Sequence, residues 1–335
     1  MKFLNGKTAA AAKALVIELR QAWLERSAAR RAIDLFVAAM LGGLLLVSAA
    51  GVASSWLPSL ETFGDLQGHF AGGAAVLAIA GLVARSRVCV WPAALLVAAN
   101  LVAIEYRVES VDTCPVQTAA TGQYVLRVMT LNIWNQNHDF AAVESAVARH
   151  RPDIVVLEEV QPYHEALLAQ FRAGYPHQAS CDSHPDCGIS ILSKFPLKAQ
   201  PVIGGHRLSV LKAAVTLDNR RLLLVGTHMR RPFDGRTQLG QFDDLKRAVA
   251  ALPANAVVVG DFNSTLWSSN MAHYAKGAGV CASNLAHATW PEWLGPFGVP
   301  IDHVFLKHGV RLLSIATVPN TGSDHKGIVA TLSMR

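Results

Sequence analysis

The chain has 335 residues, of which 51% are hydrophobic and only 16% charged, with a mean hydropathy of +0.28. That average is too apolar for a disordered chain and high for a single soluble globule, so part of the chain is expected in a membrane. The formal net charge is +6, but residues 1–31 alone carry seven Lys and Arg against Glu18 and Glu25. A basic balance this local argues little for nucleic acid. Aromatic residues at 7%, with 25 Gly and 15 Pro, exclude collagen-like and low-complexity classes.

Residues 7–31 are Ala-rich, with Leu15, Leu19 and Trp23 spaced four apart. This is the pattern of a helix lying along the cytoplasmic membrane surface or of a solvated helical tail. Three uncharged runs follow, Leu35–Leu60, Leu66–Ala84 and Val88–Ile104. Each holds about the 17–25 residues that a spanning helix needs, and none shows the polar stripe of a soluble core helix. Three transmembrane helices are therefore expected. Arg85 and Arg87 lie between the second and third runs, whereas the link between the first and second holds Glu61 and Asp65 and no cation. The positive-inside rule then places the N-terminus in the cytoplasm of a multi-pass inner (cell) membrane protein, with everything after Ile104 periplasmic or extracellular. Val47–Ser55 is rich in small residues, as a signal-peptide cleavage region is, but the n-region before it is too long. Gly68 and Gly72 form a weak small-xxx-small packing signal. His69 and Asn100 are polar residues near span ends, where interfacial solvation suffices.

The expected organisation is a basic cytoplasmic tail (1–31), a three-span anchor (32–104), a linker without hydrophobic periodicity (105–123) and a globular domain (124–335). In that domain β-rich runs alternate with helical ones. Strands are predicted over Leu126–Asn132, Ile154–Leu157, Gly188–Leu192, Leu208–Leu217, Arg221–His228, Ala256–Asp261, Ile301–Phe305, Leu312–Val318 and Gly327–Leu332, with Asp218-Asn219 as a hairpin turn. Helices are predicted over Phe140–His150, Pro162–Phe171 and Arg236–Ala251. Cys89 falls in a span and the other four cysteines outside the membrane, where oxidation is favoured. Cys181 and Cys187 bracket a short Pro-containing segment that a disulfide would close; free thiols are the alternative, and the spacing is poor for zinc.

Polar residues recur where the strands end: Asn132, Glu159, His228, Asp261 with Asn263 in Gly-Asp-Phe-Asn, Asp302, and Asp324 with His325 in Ser-Asp-His. Strands that bury apolar residues and finish in a carboxylate, amide or imidazole present chemistry at the rim of a sheet. The ordered set, with Gly260-Asp-Phe-Asn263 and Ser323-Asp-His325 as its specific motifs, resembles the endonuclease/exonuclease/phosphatase superfamily over about Tyr124–Arg335. The resemblance implies an α/β fold, a four-layer α/β/β/α sandwich of two packed mixed sheets, here preceded by three transmembrane helices. It implies a Mg²⁺-dependent phosphoric ester hydrolase, with Mn²⁺ as the other candidate ion. Glu159, Asn132 and Asp324 match the metal-binding positions, oxygen donors of the kind Mg²⁺ takes. Asp261 matches the carboxylate that orients or deprotonates the attacking water, and Asn263 an amide donor to the phosphoryl oxygens. His325 matches the imidazole near the scissile phosphate, Asp302 the carboxylate that fixes its tautomer, and His228 a donor to the phosphate or leaving group.

Glu158 precedes Glu159 where the family often has Gln-Glu; strand alternation sends the two to opposite faces, and motif alignment favours Glu159. His303 reads as packing. Arg230 and Arg231 are either a diphosphate clamp or a solvated pair. Arg127 is expected on an outward strand face. Trp267, Trp290 and Trp293 are expected to pack over the domain edge, an apolar substrate entrance being the alternative. The expected substrate is a phosphorylated molecule, a lipid-linked phosphate or diphosphate first among candidates, with no obligate protein partner. A surface-tethered nuclease is disfavoured because no basic stripe is interleaved with aromatics. A catalytically inactive membrane receptor or scaffold is disfavoured because the set of site residues is intact.

Overall fold

The computed structural model describes residues 27–181, 187–201, 208–283 and 287–334, with Ala14, Ile17, Glu18 and Gln21. Most of the helix expected over 7–31 lies outside the described residues, as does the segment between Cys181 and Cys187. Helices α1 (Ala28–Ala53), α2 (Glu61–Asp65), α3 (Gln67–Val83) and α4 (Arg87–Val108) precede the first strand. The chain divides into two compact units, Met1–Ala49 with His69–Asn100, and Ala50–Gly68 with Leu101–Arg335.

By length and composition α1 and the Cys89–Val108 part of α4 are long and apolar enough to cross a membrane; α3 makes a third candidate when it and Pro58–Asp65, bent by 50°, count as one span. Leu41, Ala74, Ala93 and Leu96 interlock between these helices. Asn100 is not left to interfacial water: its Nδ2 donates to Ser48 Oγ and Leu96 O, both at 2.9 Å. The first helix also ends earlier than its apolar run. Ser54 Oγ turns back to donate to Gly51 O at 2.9 Å, and Pro58, which has no N–H, opens a 3₁₀ turn over Pro58–Leu60. At the other end α4 continues past Ile104 into the segment expected to be linker. There the Arg107 guanidinium is satisfied by Gly51 O at 2.8 Å and Gln67 Oε1 at 3.0 Å.

The second unit contains strands β1 (Tyr124–Asn132), β2 (Ile154–Glu158), β3 (His177–Ser180), β4 (Ser190–Ser193), β5 (Leu197–Gln200), β6 (Ser209–Leu217), β7 (Arg220–His228), β8 (Ala256–Asp261), β9 (Cys281–Ala282), β10 (Asp302–Leu306), β11 (Val310–Val318) and β12 (Gly327–Met334). They form two mixed six-stranded sheets, ordered β11-β12-β1-β2-β4-β3 and β5-β6-β7-β8-β10-β9. Period-two alternation distributes the side chains. Leu126 and Val128 of β1, Ile154 and Val156 of β2, and Val257 and Val259 of β8 meet in the core between the sheets. Met129, Leu131, Val155 and Leu157 turn outward onto α5 (Phe140–His150) and α6 (Glu165–Gln170). Val258 and Phe305 turn outward onto α7 (Gly235–Ala250) and α8 (Ser269–Ala278). The result is the expected α/β/β/α sandwich.

All nine predicted strands are present, and Asp218 (φ 53°) turns the β6–β7 hairpin. The sequence reading lacks β3, β5 and β9, which are short or half-exposed, and α8, whose polar Ser269–Ala278 hides a weak apolar face. Its caps were legible: Ser268 Oγ accepts from Met271 N at 3.1 Å, and Gly279 at φ 63° closes the helix. The helix predicted over Pro162–Phe171 is split, with 3₁₀ turns at Pro162–His164 and Phe171–Ala173 flanking α6.

Two disulfides close the second unit. Cys181–Cys187 forms as expected, and Cys114–Cys281, which the sequence reading did not pair, fastens the segment after α4 to β9. Beside it Cys114 N donates to Ala282 O at 2.9 Å. Cross-linking restricts the unfolded chain more for the longer loop. Replacing Cys114 and Cys281 by Ser (sequence separation 167) is expected to cost about 5 kcal/mol of stability, and replacing Cys181 and Cys187 (separation 6) about 2 kcal/mol, both upper values. Scanning calorimetry of the two variants in detergent checks the order of the melting temperatures.

Candidate active site

The site is built by strand register. In the second sheet His228 of β7 pairs with Asp261 of β8, which pairs with Asp302 of β10, so three polar side chains form a row across neighbouring strands. In the first sheet Asn132 of β1 pairs with Glu158 of β2. Ser323-Asp324-His325 leads into β12, and Ser323 Oγ donates to Asn132 O at 2.7 Å, joining this segment to the end of β1. Gly260 has no substitute here: its φ is +139°, and a Cβ would lie 1.9 Å from Thr227 O. Trp134, Glu159 and Asn263 also take left-handed φ values of 60°, 59° and 48°. Such strain, about 1–3 kcal/mol per residue, concentrates at functional sites.

The contacts converge on Asp261. Its Oδ1 accepts from Asn263 N at 2.7 Å, and its Oδ2 accepts from Asn132 Nδ2 and Asn263 Nδ2, both at 3.1 Å. His228 Nε2 lies 3.6 Å and His325 Nε2 3.8 Å from the same Oδ2. His325 Nδ1 is hydrogen-bonded to Asp302 Oδ2 at 2.9 Å. Asn132 Nδ2 also donates to Glu159 Oε1 at 3.0 Å, Asn135 N donates to Oε2 at 2.9 Å, and His228 Nε2 stands 3.7 Å from Oε1.

Asn132, Glu159, His228, Asp261, Asn263, Asp302 and His325 are therefore one connected group. Asn263 Nδ2 donates to Met229 O at 3.0 Å as well as to Asp261, so in this arrangement the amide braces Asp261. Asp324 sits beside the group, its Oδ2 accepting from Trp290 Nε1 at 2.9 Å. The two glutamates separate as alternation requires. Glu158 is buried and accepts from Thr130 Oγ1 at 2.6 Å, whereas Glu159 faces the histidines. His303 is buried against Phe262 and Phe305, with Nε2 at 2.8 Å from Ser264 O.

Burial and charge set the protonation pattern. Burial works against the His325 cation, but Asp302 and Asp261 outweigh it and push its pKa up to about 10. Burial, then repulsion from Asp302, pushes Asp261 up to about 7. Burial keeps His228 below the ordinary histidine range in spite of Glu159. Burial opposes the charge of Glu159, yet the nearby histidines and the bonds from Asn132 and Asn135 hold it below the usual carboxylate range. Burial and neighbouring charge thus favour the neutral form of Asp261 and the charged form of His325.

Ligand atoms of Asp261, Asp302 and His325 lie within 4.8 Å of one another, a spacing a metal ion spans. Within this trio His325 and Asp302 are hydrogen-bonded to each other, Nδ1 to Oδ2 at 2.9 Å. Glu159 and Asp261 converge on one amide and one imidazole, leaving excess negative charge on hard oxygen atoms at the rim. That donor chemistry fits a divalent cation such as Mg²⁺ or Mn²⁺.

A model of the endonuclease/exonuclease/phosphatase family matches residues 129–325. The chain belongs to this family. Fold similarity extends to solved structures of low identity. Danio rerio TDP2 complexed with a single-strand DNA product is 20% identical over 62% of this chain and 98% of its own, with a TM-score of 0.51. The human Nocturnin catalytic domain with bound sulfate is 17% identical over 64% and 98%, with a TM-score of 0.50. Comparison with curated proteins finds no match. The family's named activities all hydrolyse phosphoesters.

In nitrogen-detected NMR of the His325 ring, the imidazolium is expected to persist well above the ordinary histidine pKa of 6.5. In Asp302→Asn, which removes the first of the two carboxylates that raise it, the ring is expected to titrate at least about one unit lower.

Proposed function

We propose that the protein is a membrane-anchored, metal-dependent phosphoester hydrolase that acts on a lipid-linked phosphate or diphosphate at the outer face of the cell membrane. The observation that carries the chemistry is the buried Asp302–His325–Asp261 array, with Nδ1 of the imidazole 2.9 Å from one carboxylate and Nε2 3.8 Å from the other. Asp261 takes a proton from the attacking water as the oxygen–phosphorus bond forms. The His325 cation then faces the charge that develops on the phosphoryl oxygens. His228, kept neutral by burial, retains one ring N–H for the phosphate or for the leaving oxygen as its bond to phosphorus breaks. A divalent ion held by Glu159, with Asn132 and Asp324 beside it, would neutralise charge on the phosphate.

Three features support the location. Seven Lys and Arg precede the first apolar helix and Arg85 and Arg87 join the second to the third, against Arg107 alone at the opposite ends. Two disulfides in the second unit suit an oxidising compartment. The segments before α3 and after α4 belong to one unit, which supports a topology in which α3 and α4 together cross the membrane an even number of times.

With Mg²⁺ in detergent, the full-length protein is expected to release phosphate from prenyl diphosphates. Asp261→Asn is expected to lower kcat by about 10²–10⁴-fold, and His325→Ala by about 10²–10³-fold. Removal of the divalent ion by chelation is expected to abolish turnover and its return to restore it. Wild-type protein inert on lipid phosphates but active on plasmid DNA would establish the nuclease reading instead.

A further inference from the structure

The acidic link between the first two apolar helices does more in this structure than mark topology. Its α2 lies against the catalytic loop: Asp65 Oδ1 accepts from Thr265 N at 2.7 Å and from Thr265 Oγ1 at 3.0 Å, two residues beyond Asn263. Trp267 Nε1 donates to Asp65 O at 3.0 Å, and Glu61 Oε1 accepts from Asn270 N at 2.8 Å near the start of α8. On the far side the fit is closer still, because a Cβ on Gly235 at the start of α7 would stand 1.8 Å from Pro58 O. The link therefore meets the catalytic unit at Thr265, Asn270 and Gly235, and at the first two buried groups lose their hydrogen bonds if it moves away.

This seating makes the link one wall of a chamber. A cavity of about 280 Å³ is lined by Thr62 and Leu66 of the link, by Phe233, and by Trp290, Val299 and Ile301 from the segment before β10. Glu159, Asp261 and His325 line it as well. A second cavity of about 450 Å³ shares Glu159, Arg231 and Phe233 with the first and continues past His228 to Arg230, Gln161, Ser209 and Gln241. The first chamber is mainly apolar, and the second mixes Arg230 and Arg231 with Glu159 and Asp234. A phosphate ester whose organic side is apolar matches the first chamber, and the two arginines are placed to meet further anionic oxygens. Its volume is near the low end of ligand pockets, about 300–1,000 Å³, so the chamber takes only the part of a long chain nearest the phosphate.

We infer that the link is a specificity-determining wall of the substrate site: Thr62 and Leu66, pinned through Asp65 to the catalytic loop, complete the chamber that receives the apolar group esterified to the scissile phosphate. This rests on the hydrolase reading above and assigns it a substrate class, amphipathic phosphoesters and diphosphates over soluble ones. The membrane-proximal segment then belongs to the enzyme's recognition surface as well as to its anchor.

The test compares kcat/KM of full-length protein in detergent with Mg²⁺ on farnesyl diphosphate and on p-nitrophenyl phosphate, in wild type, Leu66→Trp and Phe233→Ser. Leu66→Trp fills the chamber and Phe233→Ser strips one apolar wall, so each is expected to lower the ratio of farnesyl to nitrophenyl efficiency by about tenfold or more, mainly through KM. Melting temperatures of the variants separate a lost wall from a lost fold: a fallen ratio with wild-type melting supports the inference. A ratio within about twofold of wild type in both folded variants overturns it. Failure of the underlying hydrolase reading shows differently, as wild-type protein inert on both substrates, and overturns the inference with it.

Discussion

Burying carboxylates at the ends of strands is the constraint on which the rest of this structure depends. Asp261 and Asp302 are almost completely withdrawn from water on adjacent strands, and two like charges so placed cannot both be ionised without a compensating cation. His325 supplies that cation through its contact with Asp302, and in doing so becomes a fixed positive charge. Asn132 and Asn263 satisfy the remaining lone pairs of Asp261. Removing any of these partners leaves a buried polar or charged group short of a partner, so the residues of the candidate site hold one another in place.

The sandwich exists to bring those strand ends together. Each sheet alone offers only part of the set: Asn132 and Glu159 come from one, His228, Asp261 and Asp302 from the other. The apolar core between the sheets, in which Val128, Val156, Val257 and Val259 interlock, sets their separation. Parallel pairing of β1 with β2 and of β7 with β8 puts the polar ends at the same edge. A backbone approach as close as that of Gly260 to Thr227 is a consequence of this tight registration, and it explains why glycine precedes the central aspartate.

The link between the apolar helices gives the catalytic unit a second source of order. Glu61, Asp65 and Arg107 would each be costly to bury alone. They are tolerated because backbone and side-chain groups of Thr265, Asn270, Gly51 and Gln67 receive them. The same bonds carry the membrane-proximal chain to the mouth of the site. In the function proposed above, anchoring and substrate recognition would share these residues.

Much of this was legible in the residues. Apolar runs without charges announced the helices, period-two alternation announced nine strands, and Gly-Asp-Phe-Asn with Ser-Asp-His marked the site because strand ends that carry such groups have few structural uses. What the sequence could not supply depended on encounters between distant segments. The Cys114–Cys281 pair closes only when the segment after α4 lies along β9. The bracing role of Asn263 depends on where Met229 O falls. The seating of Asp65 on Thr265 depends on the first apolar helix ending at Ala53 and the link folding back. Local pattern determines which residues are apolar, which are reactive and which face they share, since those follow from periods of two and 3.6 residues. The distances, partners and protonation of the reactive groups were decided only by tertiary packing, because burial and neighbouring charge are properties of the folded surroundings rather than of the chain.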